Sequence, residues 1–294
     1  MVSALKAESQ TTNLPAAVDP PLAPRAVLLF DIDGVIRDVG GSYRRAIVET
    51  VNHYCGVRPD ATAIDALKAE GCWNNDWDAS MELLRRSGLG QTDRAALPAY
   101  EALVEVFNGF YFGGDPNGDP SAWQGFIGSE PLLVDRPFFQ ELSDAGVAWG
   151  FVSGAEPPSA RFVLEARLGL SKPPLIAMGD APDKPDPTGL LRLATELSGG
   201  VEAMTPPVAY LGDTVADVIT VQRARQQRPE LRFLSLAVAP PHLHGPDAAE
   251  RRSHYEAQLL EAGADMVIPQ TSAVLGALEE ALSSSLSAPA PSVP

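Results

Sequence analysis

The 294-residue sequence reads as an α/β protein, a doubly wound parallel sheet carrying an inserted, all-helical second unit. Three observations predict this. Short continuous apolar runs recur, the first stopping abruptly at Asp31 and another at Ser153, the pattern of strands buried on both faces. Helical patterns alternate with these runs from residue 136 onward. Between residues 41 and 113, by contrast, helical patterns follow one another with no strand pattern among them.

The elements follow in order. Residues 1–24, rich in Ala, Pro and Thr, read as a disordered tail. Ala26–Phe30 (AVLLF) is the first buried strand. Ser42 is placed to cap a helix with Ile47, Val48, Val51 and Cys55 on one face, ending at Gly56. Helical patterns then cover 60–70, 76–86 and 96–112, and a Gly-, Pro- and Asp-dense loop covers 113–130. Strands are expected at 147–152, 207–211 and 231–238, with weaker ones at 175–178 and 265–268. Helices are expected at 136–145, 158–168, 187–197, 217–227, 248–262 and 272–282. The resulting division is a core of 25–40 and 131–282, a helical insertion at 41–130 and a low-complexity tail at 283–294. In such sheets, sites lie at the carboxyl ends of the strands.

Charge and composition narrow the partners. The formal net charge of −16 repels polyphosphate backbones and anionic lipid, so neither nucleic acid nor a membrane surface is expected as a partner. No run approaches the ~18 apolar residues of a membrane span, and residues 1–25 lack the apolar stretch of a secretory signal. Two cysteines, Cys55 and Cys72, are too few for a disulfide framework; they fit a reducing, cytoplasmic setting, with a single bridge between them as the alternative. A small anion remains bindable through local devices such as a metal, a lysine or a helix N-terminus.

Four short segments carry that potential. Asp31-Ile32-Asp33-Gly34-Val35 ends the first strand. Two carboxylates two positions apart can divide work, one as nucleophile and metal ligand, the other as proton carrier. An EF-hand loop is excluded, because Gly34 falls at loop position 4 and Ser42 at position 12. Ser153 and the Gly154 N–H end a second strand and can hold phosphate oxygens, although Ser-Gly after a strand is also an ordinary turn. Lys184, in DKPDP, is one of only four lysines, which suits a compact cation kept for phosphate as well as a solvated loop residue. Gly212-Asp213-Thr214-Val215-Ala216-Asp217 places two carboxylates at i and i+4 after another strand. Oxygen ligands from Asp31 and Asp213 suit Mg²⁺; the alternative is a helix cap at Asp213 with Asp217 complementing the dipole.

Taken together, DIDGV, FVSG, DKPDP and GDTVAD in this order resemble the four motifs of the haloacid dehalogenase superfamily over residues 26–282. The resemblance implies a Rossmann-like core with a helical cap at 41–130. It also implies Asp31 as nucleophile, Asp33 as general acid/base and, through its backbone carbonyl, metal ligand. Ser153, Gly154 and Lys184 match the phosphate holders, Asp213 the direct metal ligand, and Asp217 a nearby ligand or supporting acid. The cofactor implied is Mg²⁺ and the partner a small phosphorylated metabolite. Two departures stand out: Asp183 occupies a position where glycine is frequent, and the stretch 239–262, with His242 and His244, is longer than usual. That histidine pair reads as loop rather than metal site.

The expected activity is therefore a Mg²⁺-dependent phosphatase working through an aspartyl-phosphate. A sugar-phosphate mutase keeps the same motifs, and a binding or regulatory module would lack one of them. A dehalogenase has no use for Asp33, and a phosphonate hydrolase needs an imine-forming lysine where the insertion offers only Lys68, inside a helical pattern. In the insertion, Arg44 and Arg45, next to Tyr43, and Asn74 and Asn75, between Trp73 and Trp77, are the candidates for substrate specificity; solvated arginines and tryptophans in a small core are the plainer alternative.

Overall fold

A computed structural model describes residues 24–70, 72–73, 75–88, 96–199 and 206–286. Its sheet has six parallel strands: β1 (Ala26–Phe30), β2 (Val147–Val152), β3 (Leu175–Ile176), β4 (Val208–Gly212), β5 (Phe233–Val238) and β6 (Met266–Ile268). They lie in the order β3-β2-β1-β4-β5-β6, so the chain reverses its direction of growth between β1 and β4. Register is fixed by the pairs Leu28↔Trp149 and Leu28↔Ala209 around the central strand.

All five residues of β1 are fully buried, which explains their unbroken apolarity. Ala26, Leu28 and Phe30 face one apolar layer, shared with α5 (Arg136–Asp144), the segment α6 (Pro157–Arg161) with its π-helical continuation Phe162–Arg167, and α10 (Val274–Leu286). Val27 and Leu29 face the other, shared with α7 (Thr188–Leu197) and α8 (Val215–Gln227). The last long helix, α9 (Ala249–Glu261), buries Leu259 against Val218 and Ala237. Helices on both faces of an all-parallel sheet make the doubly wound fold the apolar runs predict.

Between β1 and β2 lie α1 (Tyr43–Cys55), α2 (Ala61–Ala69), α3 (Asp76–Arg86) and α4 (Tyr100–Tyr111). They enclose a hydrophobic core of their own, around Ile47, Val51, Leu84, Leu103 and Phe107. The chain leaves and re-enters the sheet through two crossings clipped together antiparallel, with Asp38 N–H donating to Pro131 O and Leu133 N–H to Ile36 O, each at 2.9 Å.

Three expectations are corrected. Ser42 precedes α1 but makes no side-chain cap, because its hydroxyl donates to Glu130 Oε1 at 2.5 Å instead. The fourth helix starts at Tyr100 rather than 96, since Pro98 disfavours helical conformation in the residue before it. The last helix runs on to Leu286, past the expected boundary at 282, with the Ser283 hydroxyl bonding back to Glu279 O at 2.8 Å. The tail at 1–24 lies outside the described residues apart from its final position, as does 287–294.

Candidate active site

The four segments converge at the carboxyl ends of β1, β2 and β4, beside the β1/β4 reversal where open α/β sheets form a crevice. Asp31 follows β1, Ser153 follows β2, Asp213 follows β4, and Lys184 reaches in from the segment before α7. Asp31, Ser153 and Asp213 are buried, and all four line one cavity of about 1040 Å³ together with Asp33 and Gly154.

Lys184 is the cation of the group. Its Nζ lies 2.9 Å from Asp31 Oδ2 and 2.6 Å from Asp217 Oδ1. Burial works against its charge, but these two carboxylates hold its pKa well above the usual lysine value. Asp217 is saturated. Its Oδ1 faces Lys184 and, at 3.0 Å, the Tyr210 hydroxyl, while Oδ2 accepts from the Thr214 N–H and hydroxyl at 2.9 and 2.6 Å. Thr214, not Asp213, caps α8, in a reciprocal box with Asp217. Burial opposes ionisation of Asp217, yet Lys184 and these donors keep its pKa below the usual carboxylate value.

Asp31 and Asp213 behave in the opposite way. Asp31 Oδ1 accepts the Ile32 N–H at 2.8 Å, but burial, resisted by Lys184, pushes its pKa up to about 6. Asp213 is raised well above its usual value by burial and by the charges of Asp217 and Asp31. Its carboxylate accepts no hydrogen bond from the described residues. One carboxylate oxygen from each of Asp31, Asp213 and Asp217 lies within 4.8 Å of the others. Three buried carboxylates against one ammonium leave the site short of positive charge, so it can bind a metal ion. Hard oxygen ligands suit a small divalent cation. Asp217's occupied oxygens leave Asp31 and Asp213 as the carboxylates with acceptor capacity to spare.

Two glycines make this approach possible. Gly34 has φ +75°, and a Cβ there would lie 2.0 Å from Asp213 Oδ2; a Cβ on Gly212 would lie 2.3 Å from Asp217 Cβ.

Asp33 lines the cavity with its Oδ1 2.6 Å from Arg37 Nε. Arg37 is fully buried, and the one sequence signal for it is an arginine among the apolar residues of Gly34–Val39 (GVIRDV). Glu156, also unanticipated, lines the cavity with its Oε2 buried and unpaired, and burial raises its pKa to about 7.

The insertion supplies the far wall. Arg44 lines the cavity, paired with Asp65 at 2.5 Å. Arg45 does not; one helical position further round, its guanidinium sits 4.1 Å over the Phe126 ring, which removes it from the specificity candidates. Asn75 lines the cavity while capping α3, accepting from the Trp77 and Asp78 N–H groups. Asn74 lies outside the described residues. Lys68 faces the cavity as well, its Nζ 2.5 Å from Asp76 Oδ1. The stretch 239–262 forms another wall through His242, Arg251 and Tyr255; His242 Nε2 is 3.6 Å from Asp65, whereas His244 bonds to Ala239 O at 2.7 Å. The two histidines therefore serve different contacts.

The chain belongs to the haloacid dehalogenase-like hydrolase family, whose model matches residues 26–225. It is 31% identical over 204 residues, 69% of its length, to an imidazoleglycerol-phosphate dehydratase of Phytophthora nicotianae, and covers 42% of that relative. The chain thus spans less than half of the curated relative it matches. Among solved structures it resembles a phosphonoacetaldehyde hydrolase-like protein of Oleispira antarctica (TM-score 0.63, 16% identity, 90% of this chain and 95% of that one). It also resembles the phosphatase Tt82 of Thermococcus thioreducens (TM-score 0.55, 21% identity, 79% and 98%). These likenesses concern the fold. Among the described residues, no helix is long and apolar enough to cross a membrane.

Proposed function

We propose that the protein is a Mg²⁺-dependent phosphatase that hydrolyses a small phosphate monoester through an aspartyl-phosphate on Asp31. The observation that carries this reading is Asp31, buried at the cavity floor with Lys184 2.9 Å from its Oδ2 and with Asp33, Ser153 and Asp213 lining the same space. Asp31 attacks phosphorus. Lys184, the Ser153 hydroxyl and the Gly154 N–H hold the phosphoryl oxygens and balance the charge that builds on them. Asp33 gives a proton to the departing ester oxygen, then takes one from the water that cleaves the acyl phosphate. Asp31, Asp213 and the Asp33 carbonyl would hold Mg²⁺, with Asp217 behind them. The ion, when bound, neutralises anionic oxygen in the cleft.

In this reading α1–α4 act as a cap that closes over Asp31 and excludes water while the ester bond breaks. The partner is a small phosphorylated metabolite, and Arg44 and Asn75 on the cavity wall are the specificity candidates. Free Cys55 and Cys72 fit a cytoplasmic setting. An imine-forming role for Lys68 is disfavoured, since its Nζ is taken up by the Asp76 carboxylate at 2.5 Å rather than left free to attack a carbonyl.

The test is phosphate release from p-nitrophenyl phosphate with Mg²⁺ and with excess chelator, followed by a panel of phosphorylated metabolites. The Phytophthora relative is named for a reaction on imidazoleglycerol phosphate, so the panel includes esters of imidazole-bearing alcohols. Full turnover in chelator sinks the metal assignment. Isomerised ester in place of free phosphate would mean a mutase.

A further inference from the structure

Arg37 lies at the centre of a buried polar hub that joins the proton-carrying Asp33 to both crossings of the helical insertion. Its side chain has no solvent exposure and spends its donors on three different segments. Nε donates to Asp33 Oδ1 at 2.6 Å, Nη1 to Glu130 Oε2 at 2.9 Å, and Nη2 to the Ser159 hydroxyl of α6 at 2.8 Å. Glu130 is equally buried and sits on the returning crossing, where its Oε1 accepts from the Ser42 hydroxyl at 2.5 Å, on the outgoing crossing, and from the Tyr111 hydroxyl of α4 at 3.2 Å. The Tyr111 hydroxyl also lies 2.7 Å from Ser159 Oγ, and the Tyr43 ring of α1 stacks on Tyr111 at 4.1 Å. The backbone of Arg37 is itself part of the clip, bridged to Leu132.

We propose that Arg37 is a positioning residue that couples the seating of the helical insertion to the orientation of the Asp33 carboxyl. The inference rests on the phosphatase reading and deepens it. Two geometric points carry it. By occupying Asp33 Oδ1, Arg37 leaves Oδ2 as the oxygen free to exchange a proton in the cavity. And a planar guanidinium with three acceptors in a fixed fork cannot follow Glu130 and Ser159 without turning Asp33 as well. Movement of α1–α4 about the clip displaces Ser42, Tyr111 and Glu130, so it reaches the proton carrier through this one side chain.

The experiment uses the full chain and two esters, p-nitrophenyl phosphate and phenyl phosphate, read as kcat/KM, which reports the first chemical step. Nitrophenolate leaves without help, whereas phenolate is a stronger base and needs a proton. The variant Arg37→Met is paired with Glu130→Gln so that no carboxylate is left buried and uncompensated. The double variant is expected to lose at least about tenfold more on phenyl phosphate than on p-nitrophenyl phosphate, the same bias expected of Asp33→Asn. Adding Asp33→Asn to it is expected to cost little more, since the residues act as one unit. Arg37→Lys keeps the charge but reaches one acceptor in place of three, and is expected to show the same bias more weakly; it serves if the double variant does not fold. Equal losses on the two esters, or losses that multiply with Asp33→Asn, overturn the role of Arg37 and leave the phosphatase reading standing. A wild-type protein that cleaves neither ester overturns both.

Discussion

Lys184 is the residue whose loss the structure prices most directly. Its ammonium faces Asp31 at 2.9 Å and Asp217 at 2.6 Å, and each contact is worth roughly 6 kcal/mol at an effective dielectric of about 20. Desolvating the ammonium offsets several kcal/mol of that sum. Lys184→Met keeps the length of the side chain and abandons three buried carboxylates, so the net loss of stability should be about 3–5 kcal/mol. For a chain of this size that is a fall in Tm of roughly 6–20 °C. The loss should depend on conditions in two ways. Asp31 already binds its proton more tightly folded than unfolded, at about 6 against 3.8, so its ionised form weakens the fold above that window and falling pH relieves the cost. Without Lys184 the relief should begin at higher pH. Saturating Mg²⁺ should restore part of the loss by supplying the missing positive charge. Guanidinium unfolding followed by tryptophan fluorescence, in chelator and in Mg²⁺ at pH 7.5 and 5.5, measures all three. A loss under about 1 kcal/mol in chelator, or one indifferent to both pH and Mg²⁺, would refute the charge accounting.

Three further outcomes are expected. Asp33→Asn should lower turnover by ~10²–10⁴ on an alkyl phosphate and by much less on p-nitrophenyl phosphate, and parallel steady-state assays compare the two. Gly34→Ala forces a Cβ to within 2.0 Å of Asp213 Oδ2 at φ +75°, so calorimetric titration should show Mg²⁺ affinity falling at least about tenfold as Asp213 is displaced. Glu156→Gln removes a carboxyl whose ionisation burial opposes. Since its folded pKa of about 7 exceeds the ordinary value of 4.5, the wild type is weakened as pH rises through 7, and the variant should gain about 3 kcal/mol at pH 8 and almost nothing at pH 4.5, as read by thermal melts.

How far the sequence carries depends on the range of the contacts involved. Asp31, Ser153 and Asp213 each follow a strand whose apolarity is visible in five or six residues, and a parallel sheet brings strand ends together without further instruction. The meeting of these side chains in one cavity is legible for that reason. Arg37 was not, because its acceptors Glu130 and Ser159 lie 93 and 122 residues away and nothing near it in the chain announces them. Arg44 and Arg45 look equivalent as a pair, yet one helical step sends the first to the cavity and the second over Phe126. Nor does local pattern reveal that α9 would line the cavity, since its packing is settled by Leu259 against β5 and α8 rather than by its polar face.

The central claim is that Asp31 becomes covalently phosphorylated. Rapid acid quench of the protein turning over a ³²P-labelled ester, followed by peptide mapping, tests it most directly. The account predicts acid-stable, hydroxylamine-labile label on the peptide carrying Asp31, formed fast enough to lie on the path to phosphate and absent from Asp31→Asn. Phosphate release without labelled protein, or release that survives Asp31→Asn, would contradict it.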